Sequence, residues 1–345
     1  MRSAPRNEAI NIDRRRFVRA TAALAASAEL GIVSKAEAQP ARPASAFSPE
    51  LLKQIDAGPL SVGYADAGAP DAPAVILLHG WPYDIHSYAD VTPLLAARNF
   101  RVIVPYLRGH GTTRFHEADT VRNGQQAALA HDIKTLMDAL KIESAVIAGY
   151  DWGARTANIV AVLWPVRCKA LVSVSGYLIG SQAANRQPLP PKAELAWWYQ
   201  YYFATERGRA GYQANTKDFA RLIWQTASPA WNFDEATFAR SAAAFDNPDH
   251  VAITIHNYRW RLGLAKGEAQ YDEMEKVLAT APAITVPTIT LEGDANGAPH
   301  PDPKAYASKF SGTYQHRTIS GGIGHNLPQE APHTFAEAVL DASRM

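Results

Sequence analysis

The sequence predicts an α/β fold: a mostly parallel central sheet with helices on both faces, interrupted by an inserted helical cap. Three observations carry this. Apolar runs alternate with helical patterns from Leu60 onward, as expected of strands buried on both sides. Gly149-Tyr150-Asp151-Trp152-Gly153 follows directly on the apolar run Ala145-Val146-Ile147-Ala148, the pattern of a sharp strand-to-helix turn. From about Leu178 to Pro282 strand-like runs become few, aromatic residues recur at helical spacing and most of the tryptophans gather.

The elements follow in chain order. Asp13-Arg14-Arg15-Arg16-Phe17-Val18-Arg19 precedes the short, alanine-rich apolar stretch from Ala20 to Val33, and Ala36-Glu37-Ala38 supplies a small-x-small cleavage pattern. This arrangement resembles a twin-arginine export signal over residues 1–38, followed by a Pro- and Ala-rich linker over 39–47. The apolar run is too short for a stable membrane anchor, which needs roughly 20 residues. The resemblance implies the twin-arginine export machinery as a partner, export in the folded state, and a periplasmic or secreted location.

Residues 48–177 are read as the first part of the core. Leu60-Ser61-Val62-Gly63-Tyr64 reads as an early edge strand, Ala74-Val75-Ile76-Leu77-Leu78 and Arg101-Val102-Ile103-Val104 as buried strands, and Gly124 to Leu140 as a helix. A strand then runs from Glu143 into the turn at Asp151, Ala154 to Leu163 continues as a helix, and Cys168 to Ser173 is the next strand. Residues 178–282 form the predicted cap, entered at Leu189-Pro190-Pro191. Residues 283–345 return to the core with strands at Thr288-Ile289-Thr290-Leu291 and His316-Arg317-Thr318-Ile319, and a closing helix from Ala331 to Asp341.

Composition narrows the function. The 345 residues are 47% hydrophobic and 19% charged with a formal net charge of +1, so nothing suggests nucleic acid as a partner. Near-neutral charge and abundant Trp and Tyr suit an apolar pocket for small uncharged molecules. The single Cys168 excludes an internal disulfide and reads as a core residue.

The turn at Asp151 sets the chemistry. Flanking glycines allow a strained backbone that pushes the central side chain outward, and here that side chain is a carboxylate, ionised near neutral pH without help from a base. Its attack on an acyl carbon would give a reactive anhydride, whereas attack on saturated carbon gives an ordinary alkyl ester that a second step can hydrolyse. Asp294, after a late strand, and His325, in Gly321-Gly322-Ile323-Gly324-His325, follow in the order nucleophile, acid, histidine. His325 is expected to activate water against the ester, with Asp294 fixing its tautomer; Glu292 is the alternative acid. His79-Gly80-Trp81-Pro82 offers the Trp81 amide, which with the Trp152 amide would form an oxyanion hole, while His79 braces the loop. No metal or organic cofactor is required.

These residues resemble the α/β-hydrolases with an aspartate nucleophile, and among them the epoxide hydrolases, over roughly Leu60 to Leu340. The shared pattern is the His-Gly-x-Pro loop at His79 to Pro82 and the Asp-Trp-Gly elbow at Asp151 to Gly153. The resemblance implies a small apolar epoxide as substrate and two cap tyrosines holding its oxygen: Tyr199, in Tyr199-Gln200-Tyr201-Tyr202-Phe203, and Tyr258, in Asn257-Tyr258-Arg259. Two phenols suit an epoxide, because the departing alkoxide is far more basic than a phenol of pKa about 10. Tyr150 stands where histidine is frequent in the family, and its side chain is expected to point away from the reacting carbon.

Two alternatives remain open. Haloalkane and fluoroacetate dehalogenases use the same aspartate; the former usually place Asn where Trp81 stands, and the latter carry two arginines after the aspartate. Arg155 resembles the second of these as a possible contact for a substrate carboxylate, while Trp152 replaces the first; a salt bridge from Arg155 to the cap is the plainer expectation. A non-catalytic sensor that kept the pocket is the third reading, against which the intact nucleophile, acid and base argue.

Overall fold

In the computed structural model, residues 47–345 are described. The export-type segment and nearly all of the linker lie outside them. Phe47, read as the last linker residue, is instead buried at 8% exposure, with its ring 5.8 Å from that of His86.

Nine strands form one sheet: β1 (Leu52–Ala57), β2 (Leu60–Ala67), β3 (Ala74–Leu78), β4 (Arg101–Pro105), β5 (Arg114–Phe115), β6 (Ala145–Gly149), β7 (Cys168–Val174), β8 (Thr288–Gly293) and β9 (Tyr314–Ile319). Their order is β1-β2-β4-β3-β6-β7-β8-β9, with β5 paired to β2. Pairings from β4 to β9 are parallel, and those of β2 with β1, β4 and β5 are antiparallel. The sequence at Leu60 therefore does not form the edge, because β1 covers it. Strand β1 carries Lys53, Gln54 and Asp56, mostly exposed, so it joins through backbone pairing and leaves no apolar run to read.

The central strands bury both faces, and alternation decides which layer each residue enters. Val75 and Leu77 of β3 pack with Val91 and Leu95 of α1 (Val91–Ala96) and with Phe335 and Val339 of the closing helix, Pro332–Ala342. Ile76 and Leu78 pack on the opposite face with Leu129 and Ile133 of α2 (Gln126–Ala139) and Ile159 of α3 (Trp152–Leu163).

Between β7 and β8 the described residues form helices and no strand. These are α4 (Gln182–Asn185), α5 (Pro191–Ala196), α6 (Trp198–Ala204), α7 (Glu206–Ala214), α8 (Thr216–Ala227), α9 (Glu235–Ala242), α10 (His250–Arg261) and α11 (Asp272–Ala279). Helix α8 shows why they pack: Phe219, Ala220, Ile223, Trp224 and Ala227 make one apolar stripe. Thr205 caps α7 and Asp234 caps α9 by accepting from Gly208 N and Thr237 N at 2.9 and 2.7 Å. Among the described residues no helix is long and apolar enough to cross a membrane.

Candidate active site

Two neighbouring strand ends build the site. Leu78 closes β3 in register with Gly149 at the end of β6, so His79-Gly80-Trp81 and Tyr150-Asp151 leave the sheet side by side, where open parallel sheets place their ligands. Asp151 has φ 53° and ψ −121°, a left-handed conformation costly for a side chain other than glycine's. Close approach makes two of the glycines necessary. A Cβ on Gly153 would overlap the Leu78 carbonyl oxygen, and one on Gly80 would lie 2.6 Å from the Asp151 Cβ.

The two oxygens of the Asp151 carboxylate have different neighbours. Oδ1 accepts from the Trp81 amide at 2.8 Å, and Oδ2 faces His325 Nε2 at 3.4 Å. Burial alone would push this carboxyl upward, but His325, the Trp81 N–H and the Arg155 charge outweigh it, and it titrates below its ordinary value. The Trp152 amide begins α3 beside it; among the described residues it makes no hydrogen bond to the Asp151 side chain. His79 braces the loop, its Nδ1 against Gly80 O at 2.8 Å and its Nε2 accepting from Leu107 N at 3.1 Å. Tyr150 turns away from the cavity to meet Ser87 Oγ at 2.6 Å.

The carboxylate forms part of the wall of a 420 Å³ cavity, to which Trp81, Trp152, Tyr199 and Tyr258 contribute aromatic surface. The rings of Tyr199 and Tyr258 are 5.4 Å apart, edge to face. Burial, and then the Asp151 charge, push the Tyr199 phenol up to about 12; burial and Tyr199 hold Tyr258 well above its usual value. Both are therefore protonated donors at neutral pH. Tyr201 is exposed and bonds Glu194 instead.

Residues 73–240 match the α/β-hydrolase fold family. Over 315 residues the chain is 33% identical to an epoxide hydrolase of Caballeronia sordidicola, covering 81% of this chain and 90% of that one. This chain belongs to the α/β-hydrolase superfamily, in its epoxide hydrolase-like group. A solved structure from Klebsiella pneumoniae subsp. pneumoniae MGH 78578, provisionally assigned as an epoxide hydrolase, matches the hydrolase with TM-score 0.85 and 64% identity, covering 86% of this chain and 98% of that one. Epoxide hydrolase B of Mycobacterium tuberculosis is 34% identical over 148 residues, 39% of this chain; that match spans only 41% of the relative's length.

One expected contact of this hydrolase is not made. Asp294 does not reach His325: its Oδ2 accepts from Gly321 N at 3.0 Å, and its Oδ1 from Gly322 N and Ile323 N at 2.9 and 3.0 Å. The reason is local. Gly321 and Gly322 adopt φ 114° and 78°, and the amides of this turn face the nearest carboxylate. Asp294 therefore holds the loop that carries the imidazole. Glu292 makes no hydrogen bond to His325 either: its Oε1 accepts from Asn296 Nδ2 at 2.6 Å, and its Oε2 is buried without a hydrogen-bond partner among the described residues. Among the described residues His325 Nδ1 is buried without a partner.

Sequence reasoning missed the other support of that loop. Ser228 Oγ accepts from His325 N at 2.9 Å and donates to Glu330 at 2.7 Å, and Glu330 also holds Gly324 N and Asn326 N. Arg155 is not salt-bridged to the cap as expected; its Nε donates to Leu178 O at 3.1 Å. Arg261, which no motif pointed to, lines the same cavity. It stands three residues after Tyr258 on α10, and that spacing puts the two on one helix face.

Proposed function

We propose that this hydrolase opens epoxides to vicinal diols through an alkyl ester on Asp151. One observation carries the reading: an ionised carboxylate whose two oxygens face an amide donor and an imidazole, across a cavity from two protonated phenols. Asp151 Oδ2 attacks a ring carbon, the ring C–O bond breaks, and the alkoxide oxygen takes a proton from Tyr258 or Tyr199; the phenolate regains its proton from solvent. His325 Nε2 then removes a proton from water, and the hydroxide adds to the ester carbon. Negative charge collects on Oδ1, where the Trp81 amide already points and the Trp152 amide can join it. Collapse breaks the acyl C–O bond, the departing alkoxide takes the proton from His325, and the new Asp151 carboxyl releases its proton to solvent, restoring the carboxylate. The twin-arginine pattern before residue 39 supports a periplasmic or secreted place of action.

A single turnover in heavy-oxygen water tests this. The first diol should carry an oxygen from Asp151, and the label should appear in the Asp151 carboxylate. Label in the first diol at full yield would mean direct attack by water and end the reading.

The dehalogenase reading has one observation in its favour, since among the described residues Trp152 Nε1 is buried without a partner and could donate to a halide. Of the other indoles on the cavity wall, Trp81 is committed to Tyr212 Oη at 3.0 Å, while Trp197 Nε1 is likewise buried without a partner among the described residues. A His325→Gln variant separates the two by mass: the adduct keeps the whole substrate mass for an epoxide and loses hydrogen halide for a haloalkane.

A further inference from the structure

The wall of the cavity holds two cations that need an explanation. Arg155 rises from α3 one turn after Asp151, and Arg261 ends α10 one turn after Tyr258. Neither has a carboxylate partner among the described residues: Arg155 donates to the Leu178 carbonyl, and Arg261 lies over the Trp197 ring at 4.4 Å and the Tyr258 ring at 5.6 Å. Among the described residues Asp151 is the one acidic side chain lining the cavity, and its oxygens already face Trp81 and His325. Both are partly buried, and a guanidinium even partly withdrawn from water without a counter-charge is unfavourable. The strain registers on Arg261, which burial and the like charge of Arg155 bring down to about 10, still protonated at neutral pH. With Asp151 ionised, the arginines leave this wall one positive charge in excess.

We propose that the substrate carries a carboxylate and that Arg155 and Arg261 bind it together, a subclass of substrate that rests on the ring-opening reading above. Planar guanidinium matches carboxylate through paired N–H donors, and the Trp197 ring under Arg261 fixes the plane in which it offers them. One substrate charge neutralises the wall, and the arginines offset the repulsion between substrate and nucleophile. Position sets reach. Four residues of helix separate the Cα atoms of Asp151 and Arg155 by about 6 Å, so the carboxylate belongs a few bonds from the ring carbon under attack, with the remainder of the molecule against aromatic surface. The small apolar epoxide that the resemblance implies is thereby narrowed, under this proposal, to one that also bears a carboxylate.

Equilibrium binding of butyrate and of butyramide, nearly the same shape without the charge, tests the clamp without turnover. Wild type should bind butyrate at least about tenfold more tightly, as expected for hydrogen bonds to a charged group, and Arg155→Gln or Arg261→Gln should abolish that preference while Arg261→Lys restores part of it. With 2,3-epoxybutanoate and its amide, the acid-over-amide ratio of kcat/KM should fall at least about tenfold in either Gln variant, mainly through KM. Equal affinity of wild type for butyrate and butyramide overturns the proposal, and because that comparison uses no variant, misfolding cannot obscure it. A preference that survives both Gln substitutions overturns it too. Butyrate binding with the expected preference but no opening of any epoxide leaves the clamp standing and removes the ring-opening reading; opening of the amide without butyrate binding does the reverse.

Discussion

Replacing Gly80 by alanine should stall the enzyme after its first chemical step. The backbone at Gly80 tolerates alanine, since its φ is not positive, but the added Cβ would lie 2.6 Å from the Asp151 Cβ and 3.0 Å from Oδ1. Carbon atoms in contact need about 3.5–4.0 Å, so the loop must withdraw by about 1 Å. That withdrawal stretches the 2.8 Å hydrogen bond from the Trp81 amide to Asp151 Oδ1 to about 3.8 Å, beyond useful geometry. The two half-reactions should respond unequally. Ester formation turns a carboxylate into a neutral carbonyl, so the amide stabilises its starting state more than its product; ester hydrolysis places full negative charge on Oδ1, where loss of one donor slows reaction about 10²–10³-fold. Quenched-flow mass spectrometry should therefore find a rapid burst of Asp151 ester carrying the entire substrate mass, followed by slow diol release. Equal slowing of both phases, or no accumulated ester in a folded variant, would refute the reasoning.

Tyr258→Phe should slow ester formation about 10²-fold, within the range for general-acid groups, with Tyr199→Phe milder because Tyr199 is the more exposed of the pair; burst rates measure both, and undiminished bursts in the double variant would exclude proton donation by the phenols. His325→Gln should accumulate the ester and raise the pH at which ester formation sets in. Its imidazole opposes the effect of burial on the Asp151 carboxyl, so without it the carboxyl titrates higher and the acid limb of the first-turnover rate moves upward; a limb unmoved or moved downward contradicts this. Asp294→Asn should retain most of kcat, because one oxygen still accepts two loop amides, whereas a charge-relay acid exchanged for its amide costs about 10⁴. Gly321 and the neighbouring amides hold the Asp294 carboxyl below its ordinary value, so its grip on the loop is complete above the unfolded pKa and is lost as pH falls through the lower folded one; comparing acid inactivation of wild type and variant checks the sign.

Burial determined what could be read from the sequence. Strands β3 and β6 sit between two apolar layers and so appear as unbroken runs at Ala74–Leu78 and Ala145–Gly149. Strand β1 is held by backbone pairing with exposed polar side chains, and α1 is only six residues long, so neither leaves a periodic trace. In the site, Asp151 and Trp81 were legible because each follows a strand end at a fixed distance. Tyr199 was assigned from its motif, and its place on the cavity wall separates it from the exposed Tyr201 two residues on. The partner of Asp294 depends on the amide directions of a glycine turn, which composition does not encode. Arg261 was within reach of sequence reasoning, one turn beyond Tyr258, but the motif Asn257-Tyr258-Arg259 stops short of it; Arg259 itself donates to Phe203 O and Thr205 O in the cap.

Tyr258 and Arg261 share one rigid segment, α10, which packs directly on the helix carrying Tyr199. Any swing of that segment wide enough to admit a guest withdraws the acid and the anchor in the same movement. Under the roles proposed for them, such a movement would cost the enzyme its grip and its proton donor at one stroke, while the carboxylate at the elbow would keep its own supports in Trp81 and His325.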